Sequence, residues 1–467
     1  VAGPAASQPS RSLSARDLAA ATPEGRDRFV DLLRVLALLA VMLGHFLMAA
    51  VVVAPDGGVT VTNTLVLVPS AQLLTWLFQV MPWFFAVGGF SHAVALGSLA
   101  RRDGSYADFV LARVDRLLRP TLAFVATGLA AGVVVEALGR LDDRAVMVLR
   151  IVAQPLWFIG IYLGVLAFAP WMLRAHRRFG VRVLVVLTVL VAVMDVLRIG
   201  LDLPYVGYLN FAFVWLAVHQ CGFFYADGGP QRGGRRFALA LAGAGLVATV
   251  ALVALGPYPR SMVTLPGEST SNMTPPSLAL LTFSAWLLGL ALLLRPAFTR
   301  LLARRGPWTA VVAASGVAMT AFLWHLTAIT AVSGVLLLTG APFFPDVGSV
   351  AWWLLRLVFL LLVAVVLAGL VALFRRFERP RRLAVPPRGE RRAHRDGLAA
   401  VGLALALLGV LGFSVAGFAG VLSMRTATLV VLPMTPAVAA VLLGGGTLLV
   451  GWAAAPVRRR PSSGPAA

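Results

Sequence analysis

The sequence predicts an all-α protein, a polytopic bundle of transmembrane helices, and three observations carry that reading. Of 467 residues, 59% are hydrophobic and only 13% charged, with a mean hydropathy of +0.88. Soluble domains carry roughly 25% charged residues. Apolar runs of about 20 residues recur along the chain, each long enough to cross a hydrocarbon core of about 30 Å. The formal net charge is +21, and every basic residue is Arg. These arginines lie between the apolar runs, where a membrane protein keeps them, so the charge reads as topology and no nucleic acid partner is expected.

Backbone polar groups must be paired within each span, which makes the spans helical. The first run, about 30–54, follows the polar stretch 1–29 and is too long for a cleavable signal, so it reads as an uncleaved anchor. The second, about 70–99, contains Pro82 and the pair Gly88–Gly89, which loosen a helix and let backbones approach. The third, about 120–138, begins at Pro120 after an Arg-bearing loop. Runs at about 146–170, 181–199, 205–226 and 236–256 follow at short intervals. A long loop at 257–276 precedes 277–295, and 309–338 and 349–373 complete a core of ten helices. Two appended helices, about 397–423 and 430–453, carry almost no polar residues and read as a packing or partner module.

Orientation follows from the arginines. With the N-terminus inside, the inner segments are 1–29, 100–119, 171–180, 227–235, 296–308, 374–396 and the tail from 454. The outer segments 55–69 and 339–348 hold no Arg, while 257–276 and 424–429 hold one each, Arg260 and Arg425. Arg140 and Arg144 in 139–145 are accompanied by Asp142 and Asp143. Both termini are therefore expected in the cytoplasm, with the chain in the plasma (inner) membrane. The expected organisation is a disordered tail at 1–23, a ten-helix membrane domain at 24–380, an Arg/Pro-rich linker at 381–396 against the anionic leaflet, two extra helices at 397–453, and a disordered tail at 454–467. Cys221 is the single cysteine, so no intramolecular disulfide forms. No metal site and no tightly bound cofactor is expected.

Ionisable groups inside such spans are costly and mark cavities or partners. In the first helix Arg34 and His45 lie eleven residues apart. They share one face within about 20° and are separated by about 16 Å along the axis. Arg34 reads either as an interfacial anchor or as a functional group. His45 cannot reach an interface from mid-helix, and a neutral imidazole in a dry site suits general-base work. His325, about sixteen residues into its own helix, is placed at similar depth and would line the same cavity if the two helices are neighbours. His92 and His219 read as structural. Arg113, Arg116 and Arg119 recur every three residues on a helical entry to the third span and would form a phosphate clamp at the inner mouth. From spacing alone, an ordinary positive-inside loop explains them as well. The hydroxyls and amide of loop 257–276 suit contact with a sugar-like acceptor, and Asn272-Met273-Thr274 matches a glycosylation sequon to which no role is assigned.

Several of these stretches together resemble acyltransferase family 3, membrane proteins that transfer acyl groups to extracytoplasmic glycans and related acceptors. RDRFVDLLRVLALLAVMLGHF is similar to the family's first helix, with Arg34, ten residues, then His45. MPWFFAVGGFSHA resembles its second helix, ARVDRLLRP its Arg-x-x-Arg motif at Arg113 and Arg116, QPLWFIGIYLG its fourth helix, and FLWHLTA a later helix bearing a histidine. The resemblance covers about 24–380. It implies acyl-CoA as co-substrate, acetyl-CoA among the candidates, and transfer of an acyl group other than an amino-acyl group. The implied acceptor is a hydroxyl of an extracytoplasmic carbohydrate or glycolipid. It makes His45 and Arg34 the expected catalytic residues, and Arg113, Arg116, Arg119 and His325 the expected substrate-binding ones. The resemblance also raises the phosphate reading of the arginines above the topological one. A transporter or flippase for a polar or lipid-linked substrate is the alternative, although no inverted second half repeats the Arg–His helix.

Overall fold

The computed structural model describes residues 14–54, 56, 58–340, 342–378 and 393–454. Among these residues, twelve helical spans are long and apolar enough to cross a membrane. They are α1 (Arg28–Met48), α2 (Pro69–Ala100), α3 (Tyr106–Ala137), α4 (Asp143–Phe179), α5 (Val181–Gly200), α6 (Pro204–Ala226), α7 (Gly229–Leu255), α8 (Leu278–Leu302), α9 (Ala318–Leu338), α10 (Val350–Phe377), α11 (His394–Ala416) and α12 (Pro436–Ala453). The all-α bundle is as expected. The only strands among the described residues form two small antiparallel hairpins, β1 (Ala49–Val53) with β2 (Val59–Asn63), and β3 (Ala427–Leu429) with β4 (Leu432–Met434).

Three local departures shape the site. Helix α1 stops at Met48, and the apolar run continues as β1 instead of reaching residue 54. Hydropathy cannot separate these states, whereas the β-branched Val51–Val53 fit a pleated strand. His45 consequently sits in the last turn of α1 and not at mid-helix. Helix α3 begins at Tyr106, capped by Ser105 and Asp108, so the helical entry expected to carry Arg113, Arg116 and Arg119 is part of the span itself and not of the loop before it. Pro120 is inside that helix and leaves the Arg116 carbonyl without its usual donor. The run expected at 309–338 is broken into Arg305–Ser315 and α9, which puts His325 eight residues into α9.

Part of the tail expected to be disordered is ordered. Ala15–Ala20 forms a short helix closed by a Ser14–Asp17 capping box, and Trp308 Nε1 donates to Thr22 Oγ1 at 3.0 Å. Residues 1–13, linker residues 381–392 and the tail from 455 lie outside the described residues. The two C-terminal spans share the main apolar core with α3 and α4: Phe413 and Phe418 are fully buried, and Phe418 stacks edge-on against Phe124. Asp396 accepts from the Ala107 amide at 2.9 Å, and Glu136 accepts from the amides of Leu422 and Ser423.

Loop 257–276 uses several of its polar groups internally. Asn272, fully buried, donates to the carbonyls of Pro259 and Ser261 and accepts from Ser277 Oγ at 2.7 Å. Ser271 Oγ accepts from two backbone amides, and Gln79 donates to the Met262 carbonyl. The side chains of Ser261, Ser271 and Asn272, which suggested acceptor contact, instead close the loop over α2 and α8, while Ser269 and Thr274 stay exposed, and the sequon asparagine is inaccessible.

Candidate active site

Two of the polar groups inside the bundle contain the residues that the sequence singles out. The first joins α1 to α9. His45 Nδ1 and His325 Nε2 are 3.0 Å apart, with ring centroids separated by 5.0 Å. His325 Nδ1 bonds the Phe322 carbonyl one turn back. A carbonyl only accepts, so Nδ1 of neutral His325 carries the proton and Nε2 presents a lone pair. His45 must then donate through Nδ1, which leaves the lone pair of its Nε2 free. The network assigns these tautomers. His325 is 1% exposed, whereas His45 lies deep among protein atoms yet retains accessible surface. His45 thus combines an unpartnered Nε2 with a side chain that is not sealed off, the combination a general base requires.

The second group gathers around α1 nearer its start. Asp27 caps the helix by accepting from the amides of Phe29 and Val30. Asp31 accepts from Arg26 Nε at 2.6 Å and lies 3.5 Å from Arg34 Nη1. The hydrogen bond to Asp31 raises the pKa of Arg26, which lies outside the span. Arg34 Nη2 donates to Ser91 Oγ of α2 at 3.0 Å. Arg113 and Arg116 of α3 and Arg34 all lie within electrostatic range of Tyr162 on α4. Among the described residues, Arg34 pairs only with Asp31, a carboxylate it shares with Arg26, and neither Arg113 nor Arg116 makes an ion pair. Arg119 is half-buried one turn further along α3. The sequence-predicted residues thus divide. Arg34 sits with Arg113 and Arg116, and His45 sits with His325.

His92 and His219 belong to the arginine group and not to the His45 space. Both are fully buried, with His92 Nδ1 2.9 Å from His219 Nε2 and His92 Nε2 3.3 Å from the Tyr162 hydroxyl. Close approach of α2 and α6 makes this pair possible. A Cβ on Gly89 would stand 1.9 Å from the His219 carbonyl oxygen, and one on Gly222 would stand 2.0 Å from that of Ala86. Nothing larger than glycine fits a crossing this tight.

Sequence reasoning missed Tyr162 and Arg356. Tyr162 lies within the QPLWFIGIYLG stretch, which was read only for its resemblance to the family's fourth helix. Arg356 of α10 bonds the Ala49 carbonyl and lies over the rings of Phe46, Trp352 and Phe359, 4.2 Å from the Trp352 centroid. A lone Arg inside WWLLRLVFLLL was the available signal. It sits against the turn that follows His45.

The profile of an acyltransferase domain matches residues 27–375, which takes in α1 to α9 and nearly all of α10. The chain belongs to acyltransferase family 3. Neither a curated protein nor a solved structure matches it. With twelve spans, this family member is a multi-pass membrane protein, and acyl transfer replaces the transporter alternative. The matched segment contains both polar groups apart from Arg26.

Proposed function

We propose that this family 3 acyltransferase moves an acyl group from cytoplasmic acyl-CoA to a hydroxyl of an extracytoplasmic carbohydrate or glycolipid acceptor in the plasma membrane. The free Nε2 of the half-buried His45, held in its tautomer by His325, carries this reading. His45 Nε2 takes the proton of the acceptor hydroxyl as that oxygen attacks the thioester carbonyl. The new C–O bond forms, the C–S bond breaks, and the departing CoA thiolate recovers the proton from His45. His325 acts as a positioning residue. It accepts from Nδ1–H throughout and stabilises the imidazolium that forms, the role an acidic partner has in other triads.

The arginine group supplies the donor site. Three guanidinium groups against one shared carboxylate leave positive charge for the phosphates of acyl-CoA. Arg34 is about 16 Å from His45 along α1, so it is assigned to donor binding and not to the transfer step. The pantetheine arm of acyl-CoA bridges a gap of that order, which would bring the thioester to His45 while the phosphates stay with Arg34, Arg113 and Arg116. Release of free CoA from acetyl-CoA by the purified chain in nanodiscs tests the proposal. His45→Gln should bind acetyl-CoA normally and release CoA at least about 10²-fold more slowly. A near-normal rate in a well-folded His45→Gln protein would remove His45 as the base.

A further inference from the structure

A hollow of about 200 Å³ lies between α7 and α8, and neither polar group described above lines it. Gln231, Gly234 and Arg235 of α7 border it, with Leu292, Leu293 and Arg295 of α8. Gly234 interrupts α7 with φ 61° and ψ −156°, a conformation that only glycine adopts without strain, and so turns the chain at this point. Arg235 and Arg295 make no ion pair among the described residues. Gln231 Nε2 donates to the Tyr225 carbonyl at 3.1 Å, which fixes the orientation of the amide. Its Oε1 is then buried without a partner. An orphaned acceptor of this kind costs free energy unless a donor reaches it.

The hollow therefore offers two guanidinium groups from different helices, one acceptor in need of a donor, and an apolar wall. A carboxylate is satisfied by a single guanidinium fork, whereas a phosphate has oxygens for two. We propose that the hollow binds a phosphate ester that also bears a hydroxyl or ammonium group, with the phosphate on Arg235 and Arg295 and the donor on Gln231 Oε1. A phospholipid head group has this chemistry, and Leu292 and Leu293 suit its ester region. The site also touches the start of α1. Arg295 Nε donates to the Tyr225 hydroxyl at 2.9 Å, and that hydroxyl donates to Asp27, the cap of α1, at 2.7 Å. Occupancy would hold this chain, and with it the helix that carries Arg34 and His45. The binding claim stands independently of the catalytic proposal.

The test is lipid binding by the purified full-length chain in detergent, read by native mass spectrometry. Phosphatidylglycerol, phosphatidylethanolamine, phosphatidylcholine and soluble glycerol 3-phosphate are titrated in parallel. Phosphatidylcholine carries the phosphate but no O–H or N–H donor, so the first two lipids should bind more tightly. Arg235→Gln, at an exposed position where folding is not at stake, should weaken phosphatidylglycerol binding by at least about tenfold. Gln231→Leu should abolish the preference over phosphatidylcholine while leaving phosphatidylcholine binding in place. Glycerol 3-phosphate that binds as tightly as the lipid would support the site and assign it to a soluble ester. Equal binding of all three lipids, or unchanged binding in both variants, would overturn the proposal.

Discussion

Replacing His325 with Phe removes the acceptor for His45 Nδ1–H and keeps a ring in a site already packed against Phe322, whose centroid is 5.6 Å away. The magnitude follows from what that hydrogen bond becomes during transfer. In the resting enzyme it joins two neutral rings and contributes about 0.5–1.5 kcal/mol. Once His45 Nε2 has taken a proton the donor is charged, and such a bond contributes about 1.5–3 kcal/mol. The difference, about 1–2 kcal/mol, belongs to the transition state and corresponds to a fall of about 5- to 30-fold in kcat. Loss of tautomer control adds a factor of about two, because half of the His45 rings would then present N–H instead of a lone pair to the acceptor. Phe at 325 should therefore lower kcat by about 10- to 60-fold. The KM for acyl-CoA should stay unchanged, because Arg34, Arg113 and Arg116 are untouched. His325→Gln keeps an acceptor and should fall between the Phe variant and the parent. The assay is steady-state CoA release by purified protein in nanodiscs, with folding checked by size-exclusion and thermal unfolding. A folded His325→Phe enzyme whose kcat is within about twofold of the parent, or whose defect lies only in KM, would refute the paired-imidazole reasoning.

Replacing Arg113 and Arg116 together with Ala should weaken acyl-CoA binding by about 1.5–3 kcal/mol for each lost charge-assisted contact. Equilibrium binding measures this, and unchanged affinity would return both residues to a purely topological role. Gly89→Ala should destabilise the bundle by more than the roughly 1–3 kcal/mol of ordinary overpacking, because the new methyl would stand 1.9 Å from a backbone oxygen that cannot rotate away. A lower unfolding temperature and a broken His92–His219 pair are the expected readouts. Cysteine labelling in a Cys221→Ala background should place Val385→Cys on the cytoplasmic side, and labelling of that position from outside by an impermeant reagent would contradict the orientation.

The position of the spans was legible because the requirement is local. About 20 apolar residues with every backbone group paired internally make a membrane helix regardless of the neighbours. Arg34 and His45 were legible for a related reason, since each is a costly group in an apolar run whatever lies beside it. Helix ends were less legible. The run 30–54 is uniformly apolar, and its division into helix and hairpin depends on whether Val51–Val53 find a partner strand in Val59–Val61. The fate of the polar loop at 257–276 was likewise hidden, because composition does not say whether hydroxyls bond outward to a ligand or inward to carbonyls.

The sequence by itself determined an all-α membrane bundle, its family, and which ionisable residues would be expensive to bury. Only the tertiary structure decided how those residues combine. His325 is 280 positions from His45 in the chain, yet its imidazole fixes which nitrogen of His45 is free. Arg34 lies on the same helix face as His45, yet it is grouped with Arg113 and Arg116 through the packing of α1, α2, α3 and α4. The physical reason is that burial cost is a property of one side chain, whereas its compensation is a property of the helices that meet around it. Periodicity along a single helix gives the direction in which a side chain points and carries no information about which helix stands there.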